Sequence, residues 1–269
     1  MTRIAMVVSD VDGTLLTKDK ILTDGAISAV RRLQQAGIGF TIISSRPTIG
    51  MRFLIEPLQI KLPVGAFNGS SIVDPRMNPV EQHFLSATAT RRGLDMFSEF
   101  GIDIWLFTDE HWFTRNGDGE YVPHEKLAIR VDPTVIDDFT PYVARACKVV
   151  GSSSDPALLA RCEAAMQSAL DGTASAVRSQ SYYLDITPPG YNKGTFVHNI
   201  AKRLGVSTGE VATIGDMQND LAMFEVSAIS IAMGNATDDV KKRATHVTSS
   251  NEEEGFARAV EMILQENGR

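Results

Sequence analysis

Two aspartates one residue apart, Asp10 and Asp12, follow an apolar run at residues 4–8 and lead into Gly13-Thr14. Residues two apart on an extended segment point the same way. With 4–8 as a strand, both carboxylates face one point at its C-terminal tip, the edge where open α/β sheets bind ligands. Gly13 permits a tight turn there. Two acids on one face repel unless something compensates them, and a divalent cation is the usual remedy. The plainer alternative is a solvated acidic loop, which the position directly after an apolar strand disfavours.

Three other segments offer matching chemistry. Ser44-Ser45-Arg46 ends the apolar run 38–43, and a hydroxyl with a free backbone N–H at such a tip can hold a phosphate oxygen. Asn192-Lys193-Gly194 precedes an amphipathic stretch, so Lys193 can neutralise phosphate charge beside a helix N-terminus. Gly215-Asp216-Met217-Gln218-Asn219-Asp220 follows the apolar run 211–214 and adds hard oxygen ligands. Asp220 is placed to cap the short helix after it. Taken singly, these three read as a loop start, a surface lysine and a common Gly-Asp turn.

The elements that must position these residues alternate in type. Apolar runs at 4–8, 38–43, 63–67, 211–214, 229–232 and 246–248 predict strands. Helical spacing predicts helices opening at Thr23 or Asp24, at Thr48, at 194–204, at Asn235 or Thr237, and over 252–264. Near-continuous apolar strands alternating with helices indicate a parallel sheet covered on both faces. The middle of the chain differs. Runs at 105–107 and 112–114 flank a turn and read as a hairpin, followed by a helix at 155–170 and strands near 148–150, 174–177 and 181–186. The expected fold is therefore a Rossmann-like, doubly wound α/β core over 1–83 and 188–269. An α+β unit is inserted at 84–187, with Pro188-Pro189-Gly190 as a hinge.

Bulk properties narrow the partners. The chain has 269 residues, a net charge of −7 and two cysteines. The charge argues against nucleic-acid binding, which relies on basic patches. No apolar run is long enough to span a bilayer, and the N-terminus lacks the apolar region of a signal peptide. Cys147 and Cys162 fit no metal spacing and are expected to be small buried hydrophobes in a cytoplasmic protein. Of the five histidines, His124 in the middle unit is weighed as a substrate contact and set aside. Asn68, at the third strand tip, is a further candidate for lining the site.

Together the four segments resemble, in order, the motifs of the haloacid dehalogenase superfamily, in its Cof-type branch with a large type IIB cap. The resemblance covers essentially the whole chain. It implies a Mg²⁺-dependent phosphatase acting on small phosphate esters, sugar phosphates foremost. Asp10 is then the nucleophile that becomes an aspartyl phosphate. Asp12 protonates the leaving alcohol and later activates water. Asp10, the Asp12 carbonyl and Asp216 hold Mg²⁺. Ser44, the Ser45 amide, Lys193 and Asn219 bind or neutralise the phosphoryl group. Gly13, Thr14 and Arg46 play supporting parts, and Asp220 supports the loop or Lys193. The second motif of the branch usually reads Thr-Gly-Arg, and here Ser44-Ser45-Arg46 keeps the hydroxyl but adds a side chain. The inserted unit is expected to close over the site. A phosphomutase or phosphotransferase using the same intermediate, and a non-catalytic phosphometabolite-binding protein, are the competing readings.

Overall fold

Met6–Ser9 is buried along its whole length, as an interior strand of a two-sided sheet must be. In the computed structural model, which describes residues 3–268, it lies in a five-stranded sheet. The order is His246–Val247, Ile229–Ala232, Val211–Gly215, Met6–Ser9, Gly39–Ile42. All four pairings are parallel. The chain winds outward from Met6–Ser9 in one direction through Gly39–Ile42 and returns on the other side through Val211–Gly215. The expected doubly wound sheet is thus present. Met1, Thr2 and Arg269, the outer ends of the expected core segments, lie outside the described residues.

Helices cover both faces. Met6 and Val8 share a buried cluster with Phe196, Val197 and Ile200 of helix Lys193–Leu204 and with Leu221 and Phe224 of helix Leu221–Phe224. On the opposite face, Phe40 meets Phe256 of helix Gly255–Asn267 edge-on, with ring centroids 6.0 Å apart. Helix Asp24–Gln35 opens with the Thr23 hydroxyl accepting from Ala26 N–H. Gly205 closes helix Lys193–Leu204 in the left-handed conformation, at φ 68°.

By its contacts the chain divides into two compact units. One comprises Met1–Ser44, Arg52–Val80 and Asn192–Arg269; the other comprises Ser45–Met51 and Glu81–Tyr191. The second unit is built on a six-stranded sheet ordered Ser175–Gln180, Tyr183–Thr187, Lys148–Ser152, Asp103–Phe107, Trp112–Thr114, Thr134–Val135. The expected hairpin is there, with Leu106 opposite Phe113. One sheet face packs Leu106, Val149, Leu184 and Ile186 against Phe97, Leu159, Cys162 and Met166 from helices Ala87–Glu99 and Pro156–Ala169. Cys147 and Cys162 are both buried and unbonded to each other. Helix Ala87–Glu99 is unexpected from the sequence, because its buried face includes Thr90 and Gly93. A Cβ on Gly93 would lie 2.5 Å from Ile186 Cδ1. Close packing against the sheet thus demands a residue that weakens the apolar signal.

Candidate active site

Parallel pairing decides which acids meet. Ser9 lies opposite Ile214 across two adjacent strands, so Asp10, one residue on, and Asp216, two residues on, both emerge at the C-terminal edge, with carboxylate oxygens within 4.8 Å of each other. Asp10 N–H donates to Ile214 O at 2.9 Å. Helix Lys193–Leu204 begins at a capping box, in which the Asn192 side chain accepts from Thr195 N–H at 2.9 Å. That fixes the first helical residue, Lys193, whose side chain is 2 % exposed. Its Nζ donates to Asp10 Oδ1 at 2.5 Å and to Asp220 Oδ1 at 2.6 Å. Lys193 is therefore a buried ion-pair centre, and the surface-lysine reading does not hold.

Of the two roles expected of Asp220, the structure shows the support of the loop and of Lys193 and not the helix cap. Its Oδ2 accepts from the backbone N–H groups of Asp216 and Met217, each at 2.9 Å, while helix Leu221–Phe224 has no side-chain cap. Both Asp220 oxygens are thus engaged, one holding Lys193 and the other shaping the loop that presents Asp216. Thr14 Oγ1 donates to Asp216 Oδ1 at 3.1 Å, and Asn235 Nδ2 donates to Asp216 Oδ2 at 3.1 Å and to Gly13 O at 2.9 Å. The sequence reading missed Asn235 in this role and took it only as a helix start; an amide far along the chain carries no local signal of what it will meet.

Gly13 is required on two counts. Its φ is +79°, and a Cβ there would lie 2.3 Å from Asp216 Oδ2. Gly13→Ala is expected to displace the Asp216 carboxylate and to lower activity at least tenfold. Steady-state kinetics with a thermal melt will check this, and full activity in a folded variant would contradict the close approach.

Charge in this cluster is tightly constrained. Burial raises the Asp10 carboxyl to about 7; Lys193 opposes the rise, and Asp220 and Asp12 add to it. Burial likewise raises Asp216 to about 8, with Asp10 and Asp220 contributing. Burial disfavours the Lys193 ammonium, but Asp10 and Asp220 outweigh it, so its pKa rises and it stays charged. The carboxylates are short of positive charge. Oxygens of Asp10, Asp216 and Asp220 lie within 4.8 Å of one another. Asp220 holds the buried Lys193 ammonium and two backbone N–H groups, whereas Asp216 is held by neutral donors from Thr14 and Asn235, so Asp10 and Asp216 are the pair placed to face an ion. A buried set of hard anionic oxygens suits Mg²⁺, and a divalent cation would bring both carboxyls back to their ionised forms.

The remaining candidates are distributed as follows. The Asp12 side chain is 27 % exposed and pairs with Lys20, Nζ to Oδ1 at 2.7 Å; Lys20 is absent from the sequence-derived candidates. Ser44 is buried, its N–H donating to Gly65 O at 3.0 Å and its carbonyl accepting from Asn68 N–H at 2.8 Å. Asn219 Nδ2 donates to Asn68 Oδ1 at 3.2 Å, while Asn219 Oδ1 is buried with no hydrogen-bond partner. Phe67, Asn68 and Gly69 all have positive φ, 50°, 55° and 97°. Such strain persists where surrounding structure enforces it, and it clusters at functional sites. Ser45 and Arg46 belong to the second unit. There the Ser45 carbonyl accepts from Lys148 Nζ at 3.2 Å, and Arg46 Nη1 donates to Gly50 O and Ala128 O. Arg46 thus has a structural task inside its own unit.

A sequence model of the haloacid dehalogenase-like hydrolases matches residues 7–260. The chain belongs to this family. As a haloacid dehalogenase-like hydrolase, it is similar to a 5-amino-6-(5-phospho-D-ribitylamino)uracil phosphatase of Bacillus subtilis, at 28% identity over 95% of this chain and 96% of that one. It is also similar to an HMP-PP phosphatase of Cronobacter sakazakii, at 25% identity over 88% and 87%. A solved haloacid dehalogenase-like hydrolase from Bacteroides thetaiotaomicron superimposes with a TM-score of 0.89 at 26% identity, covering 97% of this chain and all of that one (100%). The resemblance drawn from the four motifs is thereby confirmed.

Proposed function

We propose that this hydrolase is a Mg²⁺-dependent phosphatase of small phosphometabolites, sugar phosphates foremost, working through an aspartyl phosphate on Asp10. The observation that carries the reading is the buried Asp10, held 2.5 Å from the Lys193 ammonium and close to Asp216, just past the end of the neighbouring strand. An isolated carboxylate is a poor nucleophile toward a phosphate dianion, since like charges repel. Fixed positive charge at the point of attack removes that obstacle.

Asp10, the Asp12 backbone carbonyl and Asp216 would hold Mg²⁺, which when bound supplies charge neutralisation for the phosphoryl oxygens. Lys193 contributes a further positive charge. Ser44, the Ser45 amide and the Asn219 side-chain amide N–H hold the phosphoryl oxygens, and the strained 67–69 loop beside Asn219 accords with a functional site. An Asp10 oxygen forms a bond to phosphorus as the ester P–O bond breaks, and the Asp12 proton passes to the departing alcohol. In the second displacement, water loses its proton to Asp12 and attacks phosphorus. The P–O bond to Asp10 breaks, inorganic phosphate leaves, and the carboxylate is restored. Splitting hydrolysis in two lets one positioned acid serve in both halves.

The two relatives named above act, by their names, on small phosphorylated metabolites, which supports the substrate class. The second compact unit is read as the cap, with its edges placed near 84 and 187. Two buried thiols outside any disulfide accord with the cytoplasm, and among the described residues no helix is long and apolar enough to cross a membrane.

A phosphometabolite panel assayed with and without Mg²⁺ tests the proposal. Release of inorganic phosphate dependent on Mg²⁺ is expected, whereas an isomerised or transferred phosphate would show a mutase or transferase, and binding without turnover a sensor. Asp216→Ala is expected to raise the Mg²⁺ concentration for half-maximal activity at least tenfold. An unaltered metal titration would remove Asp216 from the ligand set.

A further inference from the structure

Residues 16–22 fold into a tight hairpin directly after the first acidic motif. Leu16 and Leu22 form an antiparallel bridge. Thr17 N–H donates to Ile21 O at 3.1 Å, and Lys20 N–H donates to Thr17 O at 2.9 Å. Both arms are tied down from elsewhere in the unit: Asn251 Nδ2 donates to Leu16 O at 2.9 Å, and Lys18 N–H donates to Glu252 Oε1 at 2.8 Å. At the tip, Lys20 has φ +60°, a left-handed conformation that a side chain resists and that persists where the surroundings enforce it. From there the lysine turns back, and its Nζ meets Asp12 Oδ1 at 2.7 Å with only 16 % of its side chain exposed.

A lysine on a surface hairpin ordinarily samples many rotamers in water. Here an anchored turn, an enforced backbone and a shielded ion pair converge on one carboxylate. That carboxylate has reason to need it. Asp12 stands two residues from Asp10 and repels its carboxylate, and the Lys20 ammonium on Oδ1 works against that repulsion.

We propose that Lys20 is a positioning residue for Asp12: by holding Oδ1 it aims Oδ2 at the leaving oxygen of the substrate. This rests on the reading of Asp12 as the proton donor. A carboxylic acid accepts through its carbonyl oxygen and donates through its hydroxyl, so the Lys20 contact to Oδ1 persists when Oδ2 carries the proton. In the transfer step the Oδ2–H bond and the ester P–O bond break together. The proton joins the departing oxygen, which keeps the bonding pair, while an Asp10 oxygen bonds to phosphorus.

Acid assistance matters most for a strongly basic alkoxide leaving group and least for 4-nitrophenoxide, which departs unaided. The test is kcat/KM, measured with Mg²⁺, for the best alkyl phosphate of the panel and for 4-nitrophenyl phosphate. Lys20→Met is expected to lower the alkyl-to-aryl ratio at least tenfold, and Lys20→Arg to restore most of it. Lys20→Gln, which keeps a neutral donor, serves if the Met variant fails to fold. Equal losses on both substrates in a folded Lys20 variant would reduce Lys20 to a part of the hairpin and overturn the proposal. Asp12→Asn separates the two readings. If it leaves the ratio unaltered, the proton-donor role of Asp12 falls, and that of Lys20 with it. If it collapses the ratio while Lys20→Met does not, only the Lys20 proposal falls.

Discussion

Asp10→Asn is expected to lower Mg²⁺-dependent phosphate release by about four to six orders of magnitude, the scale seen when a covalent nucleophile is removed. An amide is the same size and shape as the carboxylate, so packing around the first strand tip survives. It cannot form an acyl phosphate, however, and it brings no anion to the cation site. The fold should remain, because the backbone N–H of residue 10 keeps its bond to Ile214 O, and Lys193 keeps its ion pair with Asp220. Phosphate release and a thermal melt on the same preparation check both halves. Near-normal turnover in the folded variant would remove Asp10 as nucleophile.

Lys193→Met is expected to act on stability and catalysis together. The lysine is buried between Asp10 and Asp220, and burial already raises the Asp10 carboxyl. Without the ammonium, two buried acids lose their shared partner, and removing one side of such a pair typically costs about 3–5 kcal/mol. Proton uptake by Asp10 will relieve part of that cost, but a protonated nucleophile is inactive. Activity is expected to fall by about 10²–10³, the size of effect seen when one preorganised donor is lost. Urea unfolding monitored by circular dichroism, beside steady-state kinetics, reads both. A variant as stable and as active as the parent would show the buried ion pair to be incidental. Asp10→Asn tests the attack on phosphorus, whereas Lys193→Met tests the field in which the attack occurs.

Much of the core was legible because its signals are local. Apolar strands ending in Asp10, Ser44 and Asp216 announce themselves by composition, and parallel strands buried on both faces read as continuous apolar runs. The caps at Thr23 and Gly205 were visible for the same reason: capping depends on the backbone within one turn. Less legible were elements whose faces mix small or polar residues with apolar ones. Helix Ala87–Glu99 hides behind Thr90 and Gly93, and helix Val122–Ile129 carries Glu125 among its buried residues. The strained 67–69 loop was marked only by Asn68-Gly69, which indicates a turn without revealing that Asn68 meets Asn219.

By itself, the sequence determined the kind of chemistry available. It places acids, a hydroxyl and a lysine at the ends of apolar segments, where residue type and two- or three-residue spacing already limit what can be bound. Tertiary structure alone decided the pairings. It put Asp10 beside Asp216 through a strand register spanning some two hundred residues of chain. It set Asp220 on both Lys193 and the 216–217 backbone where the sequence left a cap open as well, buried Lys193 between two acids, and brought Asn235 onto Asp216 and Lys20 onto Asp12. The physical reason is range. Propensity and capping act over a few neighbouring residues, whereas an ion pair or an amide contact exists only after the sheet has closed and water has left the space between its partners.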